Sequence, residues 1–72
     1  MSSDKKTRWY ISGRSAKLSS DVFWDGTYFT MFLMHARFYF REKDALAALP
    51  KAKRGGRGVV ESIAIEKWEE SE

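Results

Sequence analysis

The sequence predicts an α+β domain: a small antiparallel sheet of three to five strands with one short helix packed on one face, in the order β-β-β-(β)-α-β. Three observations carry this. Aromatic and β-branched residues crowd the stretch from Trp9 to Phe40 between turn signals, the period changes to helical spacing in REKDALAALP, and a β-branched run, VVESIAI, follows. A helix on one side of an antiparallel sheet gives each element a surface to bury against.

Residues 1–7 read as a polar leader ahead of a single domain at 8–68. RWYIS opens the sheet by its aromatic and β-branched content. Gly13 punctuates it and SAKLS returns, so the first hairpin connection is expected around Gly13. DVFW and YFT then flank Asp25-Gly26, a pair that tolerates the positive φ of a type I′ turn and sets Trp24 opposite Thr27 or Tyr28. In MFLMHARFYF a strand and a short helical turn compete over Met31 to His35. Alternation resumes at Ala36, Phe38 and Phe40 and favours a strand ending near Phe40.

Ala45, Ala48 and Leu49 stand at i, i+3 and i+4, with Leu46 and Glu42 widening the stripe. Glu42 and Asp44 suit the positive end of the helix dipole and the lysines gather near the other end. Because the residue before a proline avoids helical geometry, Pro50 limits the helix to Glu42–Leu49. Residues 51–58, KAKRGGRG, then form a basic loop leading to the last strand. In that strand Val59, Ile63 and Ile65 share one face, interrupted by Glu61, while Val60, Ser62, Ala64, Glu66 and Trp68 make a mixed face. Residues 69–72 are an acidic tail outside the sheet.

Composition bounds the function. Seventy-two residues make one domain with a thin stability margin. The absence of cysteine removes disulfides, thiolate metal sites and thiol redox chemistry, and agrees with a cytoplasmic setting. No signal peptide is readable. The most apolar stretch, YFTMFLMHARFYF, is shorter than the roughly 20 residues a spanning helix needs and contains His35 and Arg37, so no membrane role is expected. The net charge is +3, but residues 1–17 hold five bases against one acid and residues 37–57 seven against two, while residues 58–72 hold five glutamates against Lys67. Such asymmetry points to a polyanionic or acidic partner, against the plain alternative of a solvated surface.

No constellation for catalysis emerges. His35 is the sole histidine and sits among apolar residues, where a structural or partly exposed position explains it, and turn chemistry explains Asp25 without Asp21 as a catalytic partner. GGRG lacks the Lys-Ser/Thr of a phosphate-binding P-loop and follows a helix rather than a strand. No cofactor and no metal site are expected. What remains is a non-enzymatic binding protein contacting nucleic acid or a nucleoprotein complex through Lys51, Lys53, Arg54 and Arg57 in the basic loop. The alternative is a protein-protein interaction module that uses Trp9, Tyr10, Tyr28, Tyr39 and Trp68 to bind a host protein or a second copy in a homodimer.

The segments WYI, FW-DG-YF, ARFYF and REKDALAAL resemble those of small bacterial and bacteriophage accessory proteins, in which an aromatic-rich meander precedes an F-x-x-x-x-x-A-x-x-x-L type helix and a last strand. Phe40, Leu46 or Ala45, and Leu49 occupy the corresponding places, and the resemblance covers residues 8–66. It implies a phage or mobile-element origin and modulation of a host nucleic-acid machine or defence complex. It carries over no site residues, and the net-basic charge departs from the acidity of DNA-mimic inhibitors.

Overall fold

The computed structural model describes residues 6–70, and Met1 to Lys5 of the leader and Ser71 and Glu72 of the tail lie outside them. Four strands, β1 (Lys6–Ser15), β2 (Ser20–Trp24), β3 (Phe29–Thr30) and β4 (Val60–Glu70), and one helix, α1 (Glu42–Gly55), follow in the order β-β-β-α-β. The strands form one antiparallel sheet, as the sequence predicts, and their order within it is β3-β2-β1-β4. The helix lies across β1 and β4.

The two-residue period of β1 sorts its side chains. Ile11 and Ser15 are buried towards the helix, and cross-strand pairing puts Val22 of β2 opposite Gly13 and Ile65 of β4 opposite Ile11 on that same side. Ile11, Trp24 and Ala52 form the heart of the core, with Phe29, Tyr39, Ala48, Leu49, Ile63 and Ile65 packed around it. Trp24 meets Phe29 edge to face at 5.1 Å.

Gly13 does not turn the chain. It sits inside β1, and the first connection is Ala16 to Ser19, where Ser19 takes φ +53° and the Ser15 hydroxyl accepts the Leu18 N–H at 3.2 Å. Gly13 is required for close approach. A Cβ there would collide with the Val60 side chain and lie 3.2 Å from the Glu61 carbonyl oxygen. This crowding comes from a β-bulge: β1 advances two residues from Ser12 to Arg14 while β4 moves three, from Ala64 to Glu61, with Ser62 at φ +54°. The extra residue reverses the alternation, so Val60 joins Ile63 on the helix side, where both crowd the buried Gly56. Val59, expected on that face, is exposed in the preceding turn.

The second hairpin is longer than Asp25-Gly26 alone. Trp24 pairs with Phe29, not Thr27 or Tyr28, and the four residues between them close through Asp25 N–H donating to the Tyr28 carbonyl at 2.9 Å. The Asp25 carboxylate accepts the N–H groups of Thr27 at 2.8 Å and Tyr28 at 2.6 Å. These bonds, the one from Tyr28 foremost, hold its pKa below the ordinary carboxylate range. Gly26 takes φ +107°, but Asp25 lacks the positive φ that a type I′ turn also needs, so the expected two-residue turn does not form and the Asp25 carboxylate closes the longer loop instead.

The strand expected to end near Phe40 is absent. A 3-10 turn over Leu33–His35 replaces its first half, and the second half makes one bridge, in which Trp9 and Tyr39 exchange backbone hydrogen bonds at 2.9 and 2.7 Å. Tyr39 thereby fills the place beside β1 that β2, which pairs only from Ser12 onward, leaves vacant.

The helix runs past Pro50 to Gly55. Ala52 continues the Ala45, Ala48, Leu49 stripe at i+7 and is fully buried, and that contact holds the last turns against the sheet. Proline removes the hydrogen bond to the Leu46 carbonyl, on an exposed side of the helix where water can take its place. Lys51, Lys53 and Arg54, expected in a loop, are therefore helical, and the connection shrinks to Gly56 through Val59. Lys6 and Thr7 pair with Glu70 and Glu69, so the sheet takes in the end of the expected leader and the start of the expected tail.

Candidate binding surfaces

One face of the sheet is covered by the helix, and among the described residues no further helix or sheet lies on the other. Cross-strand register places Arg8, Tyr10, Ser12 and Arg14 of β1 on this open face, with Trp68, Glu66, Ala64 and Glu61 opposite them on β4, and Phe23 and Asp21 on β2. Phe38, next to the Tyr39 bridge, joins the same side. Ring centroids step from Phe23 to Tyr10 (5.9 Å), Tyr10 to Phe38 (5.6 Å) and Phe38 to Trp68 (5.9 Å), giving an aromatic row across the sheet. Arg8 caps its end, with the guanidinium 4.4 Å from the centre of the Phe40 ring.

Two hollows mark the row. An apolar one of about 450 Å³ is lined by Arg8, Leu33, Met34, Phe38 and Trp68. The other, about 410 Å³, is polar and includes Tyr10, Arg14, Asp21, Ser62 and Glu66. Tyr10 stands between carboxylates there. Burial first, then the negative charges of Glu66 and Asp21, push its hydroxyl's pKa above the ordinary tyrosine value. Burial also raises Tyr39, with Arg37 opposing it. Beyond the row, Phe40 is 72 % exposed, Met34 82 % and Phe32 56 %.

The structure divides the aromatic residues that the sequence singles out. Tyr10 and Trp68 belong to the open face. Trp9 and Tyr39 are half-buried, Tyr39 against the core, and Tyr28 projects from the β2–β3 loop. Phe23, Phe38, Arg8, Arg14, Asp21, Glu61 and Glu66 also lie on the face and are not among the interface residues the sequence singles out, although the alternation of Arg8, Tyr10, Ser12 and Arg14 against Trp9, Ile11, Gly13 and Ser15 carries the signal.

Lys51, Lys53, Arg54 and Arg57 are all exposed at the C-terminal end of the helix. The pairing of Ser15 with both Ser20 and Val60 brings the β1–β2 turn, with Lys17, to this same end. Among the described residues none of these five cations makes an ion pair. Lys53 and Arg54 also complement the helix dipole, which accounts for part of the clustering.

His35 is exposed and its ring lies 5.6 Å from that of Phe32. Among the described residues no three His, Cys, Asp or Glu side chains gather to hold a metal ion, and no helix is long and apolar enough to cross a membrane. No protein-family model matches the chain, and neither a curated protein nor a solved structure matches it.

Proposed function

We propose that this chain is a small, non-enzymatic binding protein of the cytoplasm that docks a partner protein on the open face of its sheet. The aromatic row Phe23, Tyr10, Phe38 and Trp68, continued by exposed Met34 and Phe40, carries this reading. Contiguous apolar surface rimmed by charge marks interaction sites, and aromatic and arginine side chains are the usual anchors of protein interfaces. The face is a poor seat for a polyanion, since Asp21, Glu61 and Glu66 outnumber Arg8 and Arg14 on it. The lack of cysteine fits a reducing compartment.

Capture of partners from the native host by the wild-type chain and by a Met34→Ser/Phe40→Ser variant tests this. Binding should survive high salt and nuclease treatment and be lost in the variant, whose altered side chains are mostly solvated. A partner that stays bound to the variant, or leaves on nuclease treatment, would refute the reading.

The basic end favours a second reading, contact with nucleic acid through Lys17, Lys51, Lys53, Arg54 and Arg57, because two separate turns and a helix end converge there without a carboxylate in either turn. In a salt titration with single-stranded oligonucleotides, neutralising Lys53, Arg54 and Arg57 should flatten the slope by about 0.7 for each phosphate that no longer meets a positive side chain. An unchanged slope refutes this second role.

A further inference from the structure

We infer that the partner on the open face is a second copy of this chain, so that two sheets stack face to face and the helices lie on the outside. This dimer rests on the docking role proposed above and names its occupant. The first support is the imbalance of the core. The buried apolar residues among those described are Ile11, Val22, Trp24 and two alanines, Ala45 and Ala52, while Phe40, Met34, Phe32 and Met31 are each more than half exposed. A chain of this length has little spare stability, and association is one of the usual remedies for so small a core. A second copy is the one partner present at matching concentration whenever the chain is made.

The second support is area. The molecule extends 46 × 23 Å in its two longer directions, a size compatible with an interface of about 800 Å² per partner. The third is charge. Arg8 and Arg14 share the face with Asp21, Glu61 and Glu66, and none of these forms an ion pair among the described residues. In a two-fold arrangement the same patch serves both partners, so a patch holding both signs can offer each arginine a carboxylate of the other copy, and every such contact occurs twice. The apolar hollow between Leu33, Met34, Phe38 and Trp68 lies beside the projecting Met34 side chain, which gives the patch a socket and a knob together. Aligned stacking of two such sheets, about 10 Å apart, would turn the aromatic row into the middle layer of a sandwich.

Sedimentation equilibrium and thermal melting of the purified chain over about a hundredfold range of concentration test the dimer. The expected mass is twice 8.4 kDa, with a melting temperature that rises with concentration. Phe40→Asp and Met34→Asp should each weaken association at least tenfold, while Lys53→Asp, on the far side of the sheet, should not. A mass of 8.4 kDa with a concentration-independent melting temperature overturns the dimer without recourse to any variant. A dimer indifferent to Phe40→Asp and Met34→Asp overturns its placement on this face. A photo-reactive phenylalanine analogue at position 40, activated in the host cell, separates the two readings. Cross-linking to the same chain supports the dimer, cross-linking to a different protein overturns the second copy and leaves the docking role standing, and no cross-link overturns both.

Discussion

Pro50→Ala should stabilise the protein. Pro50 stands inside α1 with a fully buried Ala52 two residues beyond it, so the backbone is held helical on both sides. An interior proline is about 3 kcal/mol less favourable than alanine, through the missing donor to the i−4 carbonyl and the clash of its ring. Proline also restricts the unfolded chain, which offsets roughly 0.4–1 kcal/mol of that cost and is lost on substitution. The net gain is about 2 kcal/mol. For a domain of this size each kcal/mol moves the melting point by about 4–8 °C, so a rise of about 10 °C is expected by circular dichroism at fixed protein concentration. If the helix ended at Leu49 instead, as propensity alone suggests, Pro50 would rigidify a loop, and its removal would leave the melting temperature unchanged or lower. That outcome would refute the continuous helix and return Lys51, Lys53 and Arg54 to a loop.

Gly13→Ala should cost about 1–3 kcal/mol in urea unfolding, because the new Cβ meets Val60 and the Glu61 carbonyl oxygen at the bulge; an unchanged midpoint would mean that the two strands separate there without strain. Asp25 has its pKa lowered by the Tyr28 and Thr27 N–H groups, so its contribution is present above the ordinary aspartate value and is lost as pH falls through the folded value. Asp25→Asn should therefore show a shallower loss of stability in acid than the wild type, and parallel profiles would rule this linkage out. The raised pKa of Tyr10 acts in the opposite range: its stabilising effect is complete below the ordinary tyrosine value, about 10, and is lost as pH rises through the folded value. In an ultraviolet titration Glu66→Gln should bring part of the tyrosine signal down towards that value, and no movement would show that the two groups are electrically separate.

Local patterning conveyed much of the architecture. The alternation in RWYIS, the DG turn and the alanine stripe each led to a strand, a loop or a helix in the right place. The errors fall where a distant contact overrides a local rule. Gly13 looks like a turn because glycine usually marks one, whereas its smallness serves Val60, nearly fifty residues away. Pro50 looks like a stop because nothing local shows that Ala52 will be buried, although its i+7 position already belongs to the stripe. The open face was partly legible through Tyr10 and Trp68, but Phe23 and Phe38 join them only through register and the Tyr39 bridge. Those are properties of how the strands align rather than of any one strand.

The bulge at Ser62 has a consequence for solubility. β4 is an outer strand of the sheet, and its eleven residues would otherwise present a long template to which further chains could add by backbone pairing without limit. The extra residue kinks one end of that template, while Glu66, Lys67 and Glu69 charge the other, and β3 at the opposite margin is only two residues long. Growth sideways into a filament is thereby discouraged at both margins, and contact through the broad face can close on itself at two chains.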